Sequence, residues 1–461
     1  MTRDSPAARL AAPDDALLAA LDATVARARG SVLYRERLAG VRVGSLDDLT
    51  ALALTTRADL QAAGPHGTRA LPLADVCHYG ESSGTSGATN STWLTAADFE
   101  RDADAIRAAH PDVFAPGRIV LNRFPFMAAP AHLIQLIAQR GGGVAIPAGN
   151  INWDVPFPRA LELAVSTGAH VLAGLPLEPV VLAELARARG LDPAGLAIDA
   201  LFLGGAPVPP AVQRRLARVW GARVIELYGS TETMLLGTSC AAGTLHPETS
   251  LAYCEILPID EPGDRGRLVV TTLGVEGSPL VRFDTGDVVE MRRGCPCGDP
   301  RPGLVVLGRA GDALDVGTRR LYPYEVIDGA AAAADAVDSS VYFVVVLPDR
   351  LLVRIEARTG GDAAAAAAFA ARLGDVPVEV ELVAPCMLLD VETLSRSPHV
   401  YKPVVLSDWR RGGRRILTVV EGMMEWPRPT WAEGRRWVGR MMRTAARRRR
   451  LGRDLARGDA R

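Results

Sequence analysis

Lysine is almost missing from this 461-residue chain. Lys402 is the single one, and the other 51 basic residues are arginine. Alanine, glycine and arginine are all abundant, as in a GC-rich coding sequence where arginine has displaced lysine wherever either serves. The two are not interchangeable where a compact point charge on a flexible stem is needed, so the sole survivor is a functional candidate. Cysteine is also scarce. Six thiols are too few for a disulfide scaffold. Net charge is nearly absent at −1, which excludes a global attraction to nucleic acid or to an anionic membrane. No apolar run reaches the roughly 18–20 residues of a transmembrane helix. The opening Met1-Thr2-Arg3-Asp4-Ser5-Pro6 lacks the basic-then-apolar order of a secretory signal. With 48% apolar residues the chain is too hydrophobic to be disordered. These exclusions leave the expectation of a cytoplasmic enzyme of two or three domains.

The pattern from about residue 95 to 228 alternates helical and strand-like segments. Thr95-Ala96-Ala97-Asp98 fits a capping box ahead of Phe99, Ala103 and Ile106 at helical spacing. Ile119–Leu121, Val144–Ile146, His170–Leu172, Leu201–Leu203 and Val224–Leu227 read as strands, which predicts βαβ units and a parallel sheet. From about 250 to 308, short strands between glycine and proline turns predict an antiparallel β subdomain. After Asp312, a hairpin around Pro348-Asp349-Arg350, an alanine-rich helix and Val378–Val383 predict a small α+β unit. The expected fold class is therefore α/β. A large domain is expected over 1–311, a small α+β unit over 312–410, and a basic Trp/Arg-rich tail over 411–461. That tail reads either as an amphipathic helix making a weak surface or partner contact, or as a packed helix with a solvated end.

Five segments carry chemistry. Glu81-Ser82-Ser83-Gly84-Thr85-Ser86-Gly87 is a small-residue loop whose backbone N–H groups and hydroxyls suit a polyphosphate, although such stretches also serve as connectors. Leu203-Gly204-Gly205-Ala206 and Tyr228-Gly229-Ser230-Thr231-Glu232 end parallel strands, where ligands of open α/β sheets sit. Arg282-Phe283-Asp284-Thr285-Gly286-Asp287 offers a carboxylate that accepts two ribose hydroxyls, and Gly308-Arg309-Ala310-Gly311-Asp312 adds a second guanidinium–carboxylate pair.

In order and spacing these segments resemble the adenylate-forming superfamily of acyl-CoA synthetases, adenylation domains and luciferases, and within it the phenylacetate-CoA ligase branch. SSGTSG resembles the branch's SSGTTGKP loop, YGSTE its YG-x-[ST]-E, RFDTGD its YRTGD, and GRAGD its GR-x-x-D hinge. Ser395-Arg396-Ser397 and Lys402 resemble the segment bearing the catalytic lysine. The resemblance spans about residues 80–410. It implies that Ser82, Ser83, Gly84, Thr85, Ser86 and Gly87 hold the β/γ phosphates of ATP. Gly204, Gly205, Ala206, Tyr228, Gly229 and Ser230 would line the nucleotide site, with Gly205 and Tyr228 also facing the acyl group. Thr231 would meet the α-phosphate, Glu232 Mg²⁺, and Asp287 with Arg309 the ribose. Asp312 would be the hinge, and Lys402 would bridge carboxylate and α-phosphate. Phe126 and His132 are candidates for the acyl pocket. Two departures stand out. Ala88 occupies the usual phosphate-loop lysine position, and Asp315 stands where many relatives have lysine.

The implied activity is a two-step ligation. A small carboxylic acid becomes an acyl-adenylate with release of pyrophosphate, and a thiol, coenzyme A by resemblance, then attacks. A carrier-protein phosphopantetheine or an amine would use the same adenylate in specialised metabolism. A non-catalytic nucleotide-binding regulator of the same fold is the rival reading. Separately, Cys240, His246, Cys295 and Cys297 supply three thiolates and an imidazole, a donor set for structural Zn²⁺.

Overall fold

The computed structural model describes residues 8–10, 14–82, 89–150, 154–259, 264–396, 404–410 and 415–423. Ser83, Gly84, Thr85, Ser86, Gly87, Ala88, Lys402 and all of the tail beyond 423 lie outside the described residues. The strands in chain order are β1 (Ala8–Arg9), β2 (His78–Glu81), β3 (Ser91–Leu94), β4 (Ile119–Asn122), β5 (Val144–Pro147), β6 (Val171–Gly174), β7 (Ala200–Gly204), β8 (Arg223–Ser230), β9 (Met234–Ser239) and β10 (Leu245–Pro247). Then follow β11 (Ala252–Pro258), β12 (Arg265–Thr272), β13 (Phe283–Arg292), β14 (Gly303–Arg309), β15 (Leu314–Val316), β16 (Arg319–Leu321), β17 (Tyr342–Val346), β18 (Leu351–Glu356), β19 (Val378–Val383) and β20 (Leu406–Asp408).

The parallel and antiparallel stretches expected as separate sheets are one continuous sheet of twelve strands, in the order β1-β11-β12-β13-β14-β10-β9-β8-β7-β6-β4-β5. The join is the β8–β9 hairpin. β7 and β8 run parallel, β8 and β9 antiparallel, and a register shift falls between Tyr228 and Gly229. β6 and β7 are buried at every position, as strands covered by helices on both faces require. The expected capping box is present: Thr95 and Asp98 cap the helix Ala96–Ala109 reciprocally. Phe99, Ala103 and Ile106 of that helix join Phe114, Val120, Ile134 and Phe202 in one core cluster. Pro210–Trp220 starts with proline and stops where Gly221 turns left-handed at φ +63°, which glycine adopts without steric cost.

After β14, a short 3₁₀ turn Ala310–Asp312 leads into the β15–β16 hairpin and a four-stranded sheet ordered β19-β18-β17-β20. Its helix Pro323–Asp335 packs on Pro210–Trp220 through arginine. Arg215 Nη1 donates to Asp338 Oδ1 at 2.7 Å, Arg215 Nε to Ser340 Oγ at 2.9 Å, and Arg218 Nη2 to Asp335 Oδ2 at 2.7 Å. A cavity of about 410 Å³ lies along this seam, lined on one side by Pro176, Leu177 and Ala206 and on the other by Asp312, Ile327 and Tyr342.

On β8, burial raises the Glu226 carboxyl to about 8, opposed only in part by a hydrogen bond from the backbone of Val208. The neutral form therefore belongs to the folded state. Below about pH 4.5 folded and unfolded chains are both protonated and nothing is lost; between about 4.5 and 8 stability falls as pH rises. Glu226→Gln is expected to raise the melting temperature clearly more at pH 8.5 than at pH 5.5. Equal shifts at the two pH values would contradict the burial argument.

Candidate active site

The C-terminal ends of β4, β6, β7 and β8 form one rim, as ligand sites of open α/β sheets require. At β7, Gly205 takes φ +81°, and a Cβ there would lie 3.0 Å from Leu175 Cδ2. At β8, a Cβ on Gly229 would meet Met234 O at 2.1 Å. Glycine is the only residue that fits either turn, so the backbone stays open beside the rim.

Tyr228, Asp287 and Arg309 meet at this rim although 59 and 22 residues separate them in sequence. Tyr228 Oη donates to Asp287 Oδ2 at 2.7 Å, and Arg309 Nε lies 3.0 Å from Asp287 Oδ1. Arg309 also donates from Nη1 to Thr285 O at 2.6 Å. Adjacent β13 and β14 make the Arg309 contact possible by pairing Asp287 directly opposite Arg309. Burial raises the Asp287 carboxyl against the pull of Arg309. Burial and the neighbouring Asp287 hold the Tyr228 phenol well above its ordinary range, so it remains a donor.

Glu232 is buried beside them, in the turn between β8 and β9, and sequence reasoning missed both of its partners. Asn90 Nδ2 donates to Glu232 Oε1 at 2.6 Å, and Arg57 Nη2 approaches the same oxygen at 3.3 Å. Asn90 also pairs with Ser82, where the serine/glycine-rich segment begins. Its N–H donates to Ser82 Oγ at 2.9 Å and its carbonyl accepts from Ser82 N–H at 2.9 Å, so the two ends of 82–90 are pinned together. Asn90 stands next to a quoted motif, which was a usable signal. Arg57 belongs to the helix Arg57–Ala63, far from any motif, and nothing local marks it. Thr231 is half-buried in the same turn. Ser230 Oγ sits 3.0 Å from Thr233 Oγ1, which braces that turn from within.

Phe126 and His132 come together, with ring centroids 6.4 Å apart. His132 is exposed on the helix Ala129–Arg140 with Nε2 3.1 Å from Phe126 O, and its ring lies 4.5 Å from that of His78 on β2. Burial, with His132 adding to it, lowers His78 to about 4, so this imidazole is neutral near pH 7. Asp312 is exposed in the 3₁₀ turn that links β14 to β15.

The four metal-candidate side chains converge at the far end of the antiparallel strands. Cys240 follows β9, His246 is on β10, and Cys295 and Cys297 lie in the turn between β13 and β14. The sheet order β13-β14-β10-β9 brings these together. Cys240 Sγ and Cys295 Sγ are 3.7 Å apart, and Cys297 Sγ is 3.4 Å from His246 Nε2. All four donor atoms lie within 4.8 Å of one another. A tetrahedral ion at the usual Zn–S and Zn–N lengths demands edges of about 3.8 and 3.6 Å, so the donors fit zinc.

Among the described residues no helix is long and apolar enough to cross a membrane. The AMP-binding enzyme family matches residues 29–267. Phenylacetate-coenzyme A ligase of Thermus thermophilus is 27% identical over 294 residues, covering 61% of this chain and 65% of that protein. The chain thus spans just under two thirds of that relative's length. The Escherichia coli K12 protein of the same name is 26% identical over 264 residues, covering 54% and 59%. Among solved structures, 2-hydroxyisobutyryl-CoA ligase in the postadenylation state superposes with a TM-score of 0.71 at 24% identity, covering 86% of this chain and 90% of that one. The fold is that of acyl-CoA ligases. The matched family covers more than half of the residues and includes the whole β7–β8 rim, and the chain belongs to the AMP-binding enzyme family.

Proposed function

We propose that this protein activates a carboxylic acid with ATP, releasing pyrophosphate, and passes the acyl group to a thiol, coenzyme A first among them. The observation that carries the reading is the Tyr228–Asp287–Arg309 group beside buried Glu232. Each oxygen of Asp287 keeps acceptor capacity for a ribose hydroxyl while Tyr228 and Arg309 fix its orientation. Glu232, held by Asn90 and Arg57 at one oxygen, would hold Mg²⁺, which neutralises phosphate charge. The hydroxyls of Ser82, Ser83, Thr85, Ser86 and Thr231 would position phosphate oxygens, and Lys402 would join carboxylate to α-phosphate. The small unit 312–410 would turn about Asp312 between the two half-reactions, as lids that gate catalysis do.

Pyrophosphate release tests the reading. Release with some members of a panel of carboxylates, and none without acid, is the expected result; absence with every acid would favour the regulator instead. A second addition, coenzyme A against a phosphopantetheinyl carrier protein, identifies the acceptor.

Cys240, His246, Cys295 and Cys297 would hold Zn²⁺ structurally, since four protein ligands leave no open position for chemistry. Purified protein is expected to carry about one equivalent of zinc and to lose it in Cys295→Ser with Cys297→Ser, with a lower melting temperature. Zinc retained by that double variant would remove the site.

A further inference from the structure

Arg215 lies on the helix Pro210–Trp220 of the large unit, with its side chain only 5% exposed. Its guanidinium makes four hydrogen bonds among the described residues, and all four cross to the small unit. Nε donates to Ser340 Oγ at 2.9 Å and Nη2 to Asp338 O at 2.9 Å. Nη1 donates to Asp338 Oδ1 at 2.7 Å and to Asp335 Oδ1 at 3.3 Å. The stretch 335–340 thus supplies every acceptor. Within it Asp338 takes φ +53°, a left-handed conformation uncommon outside glycine, and offers Arg215 both its carboxylate and its carbonyl.

Two other ion pairs join the same units at the surface. Arg218, which meets Asp335, is 58% exposed, and Arg358, which meets Glu184, is 41% exposed. Exposed pairs of this kind contribute little. Beside Arg215 the packing is loose. The 410 Å³ cavity is lined by Val212, Arg215 and Leu216 from one unit and by Leu314, Ile327 and Tyr342 from the other. A permanent interface would close over such a space. One buried cation therefore pins this orientation, and turning the small unit away strips it of all four acceptors. The same cavity joins Val404, two residues along the chain from Lys402, to Ala206 beside the end of β7.

We propose that Arg215 is a positioning residue: it holds the small unit in the orientation that serves adenylation, and its release accompanies the turn to thiol transfer. The inference rests on the ligase reading and deepens it by naming the contact that separates the two half-reactions. An orientation that carries the stretch beside Lys402 to the strand-end rim suits the step in which Lys402 is proposed to act. Arg215 works through the placement of the small unit, not by contact with the reacting atoms. Its guanidinium suits that part, because a planar fork bonds several fixed acceptors at once.

The test measures the two half-reactions separately on the full-length protein. Acetate, butanoate, benzoate and phenylacetate are screened for pyrophosphate release, and the fastest is used. Adenylation is read as single-turnover pyrophosphate release without thiol. Transfer is read as thioester formed from the presynthesised adenylate of that acid with coenzyme A, or with a phosphopantetheinyl carrier protein where that is the acceptor. Arg215→Met is expected to slow adenylation about tenfold, while transfer stays within about twofold of wild type or becomes faster. Hydrogen exchange is expected to rise in 210–220 and 323–340 and to stay unchanged in β6 and β7, a readout that needs no turnover. Asp338→Asn is a milder change, since asparagine tolerates the left-handed backbone. It is expected to move both readouts in the same direction, and it decides the matter should Arg215→Met fail to fold. Equal slowing of both half-reactions marks Arg215 as a structural strut and overturns the proposal. Unchanged rates, slower transfer alone, or unchanged exchange also overturn it. Each of these outcomes leaves the ligase reading intact, whereas no release by the wild type from any acid removes that reading and this proposal together.

Discussion

Replacing Lys402 with alanine is expected to lower carboxylate-dependent pyrophosphate release by about a hundred- to a thousandfold, the loss typical of deleting one donor aimed at developing charge. Arginine at the same position is expected not to restore the rate. A guanidinium is a broad planar fork, whereas the proposed role requires a compact ammonium placed between a carboxylate and a phosphate. The composition already points this way, because a chain that uses arginine at 51 positions retains lysine at one. The proposed phosphate loop sharpens the expectation, since with Ala88 at its usual lysine position it would leave less charge to compensate. Release by Lys402→Arg at the wild-type rate would refute the argument from lysine scarcity. Normal release by Lys402→Ala would take the residue out of the reaction altogether.

Arg282→Ala is expected to destabilise the fold by about 3–5 kcal/mol, read as a lower midpoint of denaturant unfolding, because it strands a buried carboxylate. Arg282 Nε lies 3.1 Å from Glu255 Oε2, with both side chains essentially inaccessible. Nη1 donates to Thr50 O at 2.7 Å and Leu52 O at 2.5 Å, which ties the N-terminal helices to the sheet. The backbone carries strain at this point as well, with φ +45° at a residue that has a long side chain. Two further bonds hold it there: Thr55 N–H donates to Arg282 O at 2.9 Å, and Asp284 N–H to Thr55 O at 2.8 Å. Arg282→Met combined with Glu255→Gln is expected to recover much of the loss, since the uncompensated charge disappears with its partner. A single variant as stable as the wild type would show that the pair contributes nothing net.

Arg282 also shows where motif reading stops. RFDTGD reads as a guanidinium and a carboxylate close together in sequence, yet the guanidinium of Arg282 is occupied by Glu255 and backbone carbonyls. Asp287, five residues on in the same motif, faces Tyr228 and Arg309 instead. Arg282 precedes β13 with φ +45°, and the β12–β13 register shifts between Asp284 and Val288, so the strand period does not relate the two side chains, and a one-dimensional motif does not say which of them borders the site.

What the chain determined by itself was local. Capping by Thr95 and Asp98, the buried runs of β6 and β7, and the glycines at the ends of β7 and β8 follow from backbone sterics and hydrophobic periodicity, which act over a few residues. The choice of Cys240, His246, Cys295 and Cys297 followed from donor chemistry, but their convergence required the β13-β14-β10-β9 order. Only the tertiary structure decided that the parallel and antiparallel halves merge into one sheet, that Arg57 and Asn90 grip Glu232, and that Arg215 bonds across the seam to the small unit. These are pairings between residues distant in sequence, set by strand order and by the cost of burying charge, and no local pattern encodes either.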